Sequence, residues 1–172
     1  IREKTEELLE FCGLIDFRRR TVRKLSGGMK RKLMVCRALL TEPEILLLDE
    51  PTAGMDAISR RQMWNLLRQL NDRNLTILLT THYMEEAESL CQRVAFMDRG
   101  KLEEINEPKR MVEQLGHYAV DLMTTEGLKS QYFRERKEAI EYLSHVEGQT
   151  ALRNTTLEDV FVARAEKKER RG

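Results

Sequence analysis

Cysteine, proline and aromatic residues are all scarce: three Cys, three Pro and one Trp in 172 residues, with Phe, Trp and Tyr together at 6%. Cys12, Cys36 and Cys91 are widely scattered, make no CxxC pair and cannot all be paired within one chain, so reduced thiols in a cytosolic protein are expected. No apolar stretch approaches the ~20 residues that a membrane-spanning helix needs, and no signal peptide is visible. Any membrane role must therefore come through a partner. Excess charge of one sign is missing too: 30 Lys and Arg face 29 Asp and Glu, a formal net charge of +1. That balance gives no polyelectrolyte field, so nothing in the charge suggests nucleic acid. Internal repeats and low-complexity tracts are absent. The chain opens at Ile1, not Met, and directly in a charged helical pattern, which leads us to expect that the N-terminal part of a longer protein is missing.

What is present reads as globular. Hydrophobic residues make up 41% and charged residues 34%, in a chain long enough to bury a core. Residues 2–12 form an amphipathic helical pattern, with Leu8, Leu9 and Cys12 on one side and Gly13 placed to end it. An irregular basic segment, 14–24, leads to Ser26, a good N-cap for a helix to about Leu40 with Met29, Leu33, Cys36 and Leu40 as its apolar face. After Pro43, the run 45–48 closes on Asp49 and reads as a strand buried on both faces. Asp56 caps a second long helix whose buried stripe is Met63, Leu66, Leu67 and Leu70. Residues 75–79 form another buried strand, followed by Thr80-Thr81-His82. An acidic helix over 84–92 and a third strand over 94–97 come next, and Asp98-Arg99-Gly100 turns the chain into a hairpin with 101–105. This alternation predicts an α/β fold, a parallel sheet flanked by helices. Beyond Pro108 a short helix, a strand over 118–123, a helical stretch over 126–146 and a last helix over 157–165 make a small C-terminal appendage. The basic tail Lys167, Lys168, Arg170 and Arg171, interleaved with Glu166 and Glu169, reads as a frayed, solvated end.

Ligands on parallel sheets bind at the carboxyl ends of the strands. Asp49, Glu50 and His82 all fall at that edge. A carboxylate at the tip of a buried strand suits Mg²⁺, and a second beside it can orient or deprotonate an attacking water, which makes Asp49 the metal residue and Glu50 the candidate base. Two acids at a strand end also serve as turn residues or helix caps. The stretch Leu25-Ser26-Gly27-Gly28 exposes unpaired backbone N–H groups at a helix start, where the helix dipole favours a phosphate; an ordinary capped helix has the same look. His82 is placed to bond a terminal phosphate or the attacking water, although a lone histidine is often just a satisfied polar residue.

Together these pieces resemble one family. LSGG (Leu25–Gly28), ILLLDEP (Ile45–Pro51), TAGMDA (Thr52–Ala57) and TTHYMEEAE (Thr80–Glu88) occur in the order and approximate spacing of ABC-transporter ATPases. The resemblance covers residues 1–115. The tail segment Asn154–Phe161 is similar to the closing segment of drug- and lipid-exporter subunits. The resemblance implies a partial P-loop-NTPase-type sheet with part of the helical subdomain over 1–40, a Walker B, D-loop and switch-histidine core over 41–115, and an α+β appendage over 116–172. It also implies an ATPase that uses ATP and Mg²⁺, partnered with an integral-membrane permease and a second ABC ATPase subunit at the cytoplasmic face of the membrane. Leu25, Ser26, Gly27 and Gly28 would touch the nucleotide of the partner subunit. Asp49 would act on metal, Glu50 and His82 on the nucleotide in cis, and Asp56 would link the two sites.

Departures from the family pattern are modest at the motifs: Met29 replaces the common Gln, Lys32 the common Arg, and Ala53, Met55 and Ala57 vary the D-loop. One departure is large. No glycine in the sequence begins GxxxxGK[ST], whose amides and lysine grip the β- and γ-phosphates. The chain alone is therefore expected to be inactive. Two rival readings share the same motifs: a soluble, non-transport ABC ATPase of the translation or DNA-repair type, and a non-catalytic truncated module. The THYMEEAE run and the near-neutral charge favour the transporter.

Overall fold

A computed structural model describes residues 2–169, in two compact units divided between His82 and Tyr83. The expectation for Arg170 and Arg171 lies outside the described residues.

In the first unit, α1 (Arg2–Phe11) ends where Gly13 takes φ +67°, a conformation glycine adopts without strain. Two short 3-10 turns, Ile15–Phe17 and Val22–Lys24, give shape to the segment expected to be irregular. Helix α2 (Gly27–Leu39) starts at Ser26, whose hydroxyl accepts the Met29 amide at 3.2 Å. Its buried residues are Val35, Cys36 and Leu39, so the apolar stripe is rotated from the expected one, and Met29, Leu33 and Leu40 are only half-buried. Strand β1 (Ile45–Asp49) leads through a tight turn into α3 (Ala57–Asp72), whose Met63, Leu66, Leu67 and Leu70 are buried as expected, together with Trp64. Each such side chain taken from water contributes about 1.5–3 kcal/mol, so α3 is the main apolar anchor of this unit. Strand β2 (Thr76–Thr80) then pairs parallel with β1, Ile45 opposite Thr76 through Asp49 opposite Thr80.

The strands depart from expectation in one respect. Leu46 is buried, but Ile45, Leu47 and Leu78 stay 59, 69 and 64% exposed. Both faces were expected to be buried; here the face bearing Ile45, Leu47 and Leu78 is open. Burial pushes the Cys12 thiol up to about 12 and raises those of Cys36 and Cys91, so all three are protonated at neutral pH.

The second unit begins with α4 (Met84–Leu90). Strand β3 (Val94–Asp98) and β4 (Lys101–Asn106) form the expected antiparallel hairpin. The third strand thus takes β4 as its partner, and the parallel sheet of the described residues has two strands, not three. Helix α5 (Pro108–Leu115) is followed by β5 (Tyr118–Thr124). The helix expected over 126–146 is wrong in its first half: β6 (Gly127–Phe133) is a strand paired with β5, and α6 (Arg136–His145) begins only at the Glu135 capping box. Leu128, Ser130 and Tyr132 share one face and Lys129, Gln131 and Phe133 the other, so neither face is uniformly apolar and the period-2 signal is blurred. Strand β7 (Thr150–Asn154), unforeseen, pairs with the other edge of β5, and α7 (Leu157–Glu169) runs longer than expected. Ala87, Phe96, Met111, Leu157 and Val160 form the core here.

Candidate functional site

The parallel register carries the tips of β1 and β2 to the same edge, with Asp49 directly opposite Thr80. There the Thr80 hydroxyl donates to Asp49 Oδ1. The next residue, Glu50, leaves the strand with φ +44°, a left-handed conformation unusual for a glutamate. Its backbone N–H donates to the Thr80 carbonyl at 3.0 Å and lies 3.3 Å from the Thr80 hydroxyl. These bonds hold the kink, which is the kind of local strain that clusters at functional sites. Two residues past the end of β2, His82 Nδ1 stands 2.9 Å from Glu50 Oε1. With Glu50 ionised, the tautomer carrying a proton on Nδ1 donates that bond. The side chains of His82 and Glu50 are 56 and 45% exposed, so the pair adds well under ~1 kcal/mol to stability. Its value is positional: it orients a carboxylate that a ligand can reach.

Of the residues singled out in the sequence, Asp49, Glu50 and His82 come together. The Ser26–Gly28 stretch is set by a different neighbour. Ser26 and Gly27 are exposed, and nothing lies within 4 Å of where a Cβ on Gly27 would stand. The first amides of α2 are thus open to a ligand. Gly28 faces α3: a Cβ there would sit 3.1 Å from the Cβ and Oγ of Ser59. One turn further along, Lys32 Nζ donates to Gln62 Oε1 at 2.8 Å. Ser59 also serves the Asp56 cap, its amide and hydroxyl donating to the two carboxylate oxygens at 2.9 and 2.6 Å. The hydroxyl first, then the amide, holds Asp56 below the usual carboxylate range. Leu25 is buried at 8% exposure and anchors the loop before the cap.

The roles of two residues were not anticipated. Thr80 was legible only once the register of β1 on β2 was known. Ser59 had a local signal, Asp followed three residues later by a side chain that can return to it.

A two-stranded parallel unit ending in adjacent carboxylates and a histidine, with helices that include one with open N-terminal amides, has the α/β architecture of a P-loop-NTPase-type domain. Comparison with known proteins narrows this. The family model described as "ABC transporter" matches residues 1–53. The linearmycin resistance ATP-binding protein LnrL of Bacillus subtilis is 33% identical over 166 residues, 96% of this chain and 52% of that protein. The daunorubicin resistance ATP-binding protein DrrA3 of Streptomyces coeruleorubidus is 40% identical over 126 residues, 73% of this chain and 40% of its own length. Among solved structures, cbiO1 from Clostridium perfringens, part of the ABC transporter complex cbiONQ, superposes with a TM-score of 0.60 at 28% identity, over 63% of this chain and 44% of that one. The chain belongs to the ABC-transporter ATP-binding family. It spans about half the length of LnrL, the curated relative it matches over nearly all of its own residues.

Proposed function

We propose that this chain is the signature-bearing and Walker B-bearing part of an ATP-hydrolysing subunit that drives export through a membrane permease. The observation that carries the reading is the Glu50–His82 contact at the sheet edge, next to Asp49 and on the same unit as the open α2 amides. Within the 172 residues, 1–40 act as the helical subdomain, 41–115 as the hydrolytic core and 116–172 as an appendage. Resistance and export names among the relatives support export over import.

In this reading Glu50 is the general base, held toward the nucleotide by His82 and by its own kinked backbone. Ser26, Gly27 and Gly28 present amides to the γ-phosphate of nucleotide bound by a second subunit, and Asp56 relays between the sites. Asp49 fits Mg²⁺: one oxygen is fixed by Thr80, and Mg²⁺ keeps most of its waters while taking one or two protein carboxylates. Bound there, the ion would neutralise phosphate charge. In this reading the permease and a second ABC ATPase subunit are its partners, and the work is done at the cytoplasmic membrane face; among the described residues no helix is long and apolar enough to cross a membrane.

Affinity capture of the chain from its host membranes tests this. Recovery of a multi-span membrane protein together with an ABC ATPase subunit is expected; recovery of ribosomes or DNA instead would refute the transport role. Because the sequence holds no GxxxxGK[ST], the purified chain alone should bind fluorescent ATP only weakly, and saturable micromolar binding would contradict this expectation.

A further inference from the structure

The hydroxyl of Thr80 touches both acids of the sheet edge. It donates to Asp49 Oδ1, and its oxygen lies 3.3 Å from the Glu50 backbone nitrogen, whose N–H also donates to the Thr80 carbonyl at 3.0 Å. A hydroxyl donates one bond while accepting another, so one side chain serves the carboxylate of residue 49 and the amide of residue 50. The contact follows from register. Asp49 and Thr80 are Cα partners on adjacent parallel strands, so their side chains rise from the same face. Branching at Cβ leaves a threonine few χ1 choices, which keeps the hydroxyl aimed.

Among the described residues the Thr80 hydroxyl is the one donor on the Asp49 carboxylate, and Oδ2 accepts nothing. An oxygen that already accepts a proton is the poorer metal ligand of the two. The carboxylate therefore offers one oxygen rather than a chelating pair. That distinction separates cations. Mg²⁺ demands near-ideal octahedral geometry and takes single carboxylate oxygens beside its waters, whereas Ca²⁺ also accepts a carboxylate through both oxygens. Aim matters the more because no group of three or more His, Cys, Asp or Glu side chains able to hold a metal occurs among the described residues. The hold on an ion falls to one or two carboxylates, with water and phosphate completing the set.

We propose that Thr80 is a positioning residue that presents Asp49 to the metal through a single oxygen and so sets a preference for Mg²⁺ over Ca²⁺. This rests on Asp49 being the metal residue. A methyl in place of the hydroxyl releases Oδ1, lets the carboxylate turn and withdraws one bond from the kink at Glu50.

Mn²⁺ takes the same hard oxygen ligands as Mg²⁺, and electron paramagnetic resonance reads its binding without turnover. The assay uses the assembled transporter ATPase with a hydrolysis-resistant ATP analogue, and Ca²⁺ displacement gives the second dissociation constant. Thr80→Val, close in shape but without the hydroxyl, should weaken Mn²⁺ binding about tenfold and narrow the ratio of the Ca²⁺ to the Mn²⁺ constant. Thr80→Ala should match it, and Thr80→Ser should stay within about twofold of the unsubstituted protein. An unchanged affinity or an unchanged ratio in the valine and alanine variants would overturn the proposal, as would a serine variant that loses as much as the valine. Asp49→Asn separates this from the reading beneath it. If Asp49→Asn loses Mn²⁺ and Thr80→Val does not, the positioning role alone fails. If Asp49→Asn binds Mn²⁺ normally, the metal assignment fails and the role of Thr80 falls with it.

Discussion

Gly116 closes α5 with φ +139°, and a Cβ there would stand 2.8 Å from the Phe133 carbonyl oxygen and 3.0 Å from that residue's backbone C and N. The neighbour is strand backbone, which cannot swing aside as a side chain tip can. Gly116→Ala should therefore destabilise the second unit by roughly 2–4 kcal/mol, read as a lower urea midpoint. Gly27→Ala, with open space around its Cβ and no positive φ, is the control and should shift the midpoint by less than about 0.5 kcal/mol. A midpoint that moved equally in both variants would contradict this. Of the candidate site residues, the acids and the histidine could be singled out because their types and spacing suit a chemistry, and the structure brings them together. Thr80 was not, because its role depends on lying across from Asp49, a relation between strands that no local pattern encodes.

Among the elements, α7 depends on one polar cluster. Arg153 on β7 holds Asp121 of β5 and Asp159 of α7 together, and Asp159 in turn accepts the Thr156 amide at 2.8 Å at the helix start. Burial alone would raise both carboxyls. The hydrogen bonds from Arg153, with Ser130 on Asp121 and Thr156 on Asp159, outweigh it and hold both below the usual range. Groups with lowered folded values stabilise fully above their unfolded value, here 3.8, and lose that contribution as pH falls through the folded values. The second unit should thus weaken progressively below about pH 4. Arg153→Ala should destabilise it by about 2 kcal/mol at pH 7, between the worth of an exposed pair and that of a buried one, and flatten the acid dependence. Chemical denaturation across pH 2–7 reads both; an unchanged acid profile in the variant would remove Arg153 from this role. Helices with strong caps, α2 at Ser26 and α3 at Asp56, were readable in the sequence to within a residue at the start. The strands β6 and β7 were not, because their alternating faces are both mixed and what holds them is pairing with β5.

On the scale of the molecule, the order strand, helix, strand fixed the α/β class and brought Asp49, Glu50 and His82 to one edge. What composition and periodicity did not reveal was how much of β1 and β2 would be covered. A continuous apolar run such as Ile45–Leu48 implies two covered faces, whereas Ile45, Leu47 and Leu78 stand open among the described residues. Nor did the alternation show that β3, paired with β4 in the expected hairpin, would not also add to the β1–β2 sheet. The edge chemistry survives both differences, since it requires only the β1–β2 register and the kink at Glu50. Its most direct test is ATP turnover by the assembled transporter ATPase carrying Glu50→Gln, with nucleotide occupancy followed in the same samples. Turnover should fall by at least about a hundredfold while bound ATP persists. Turnover at the unsubstituted rate would show that Glu50 is not the base.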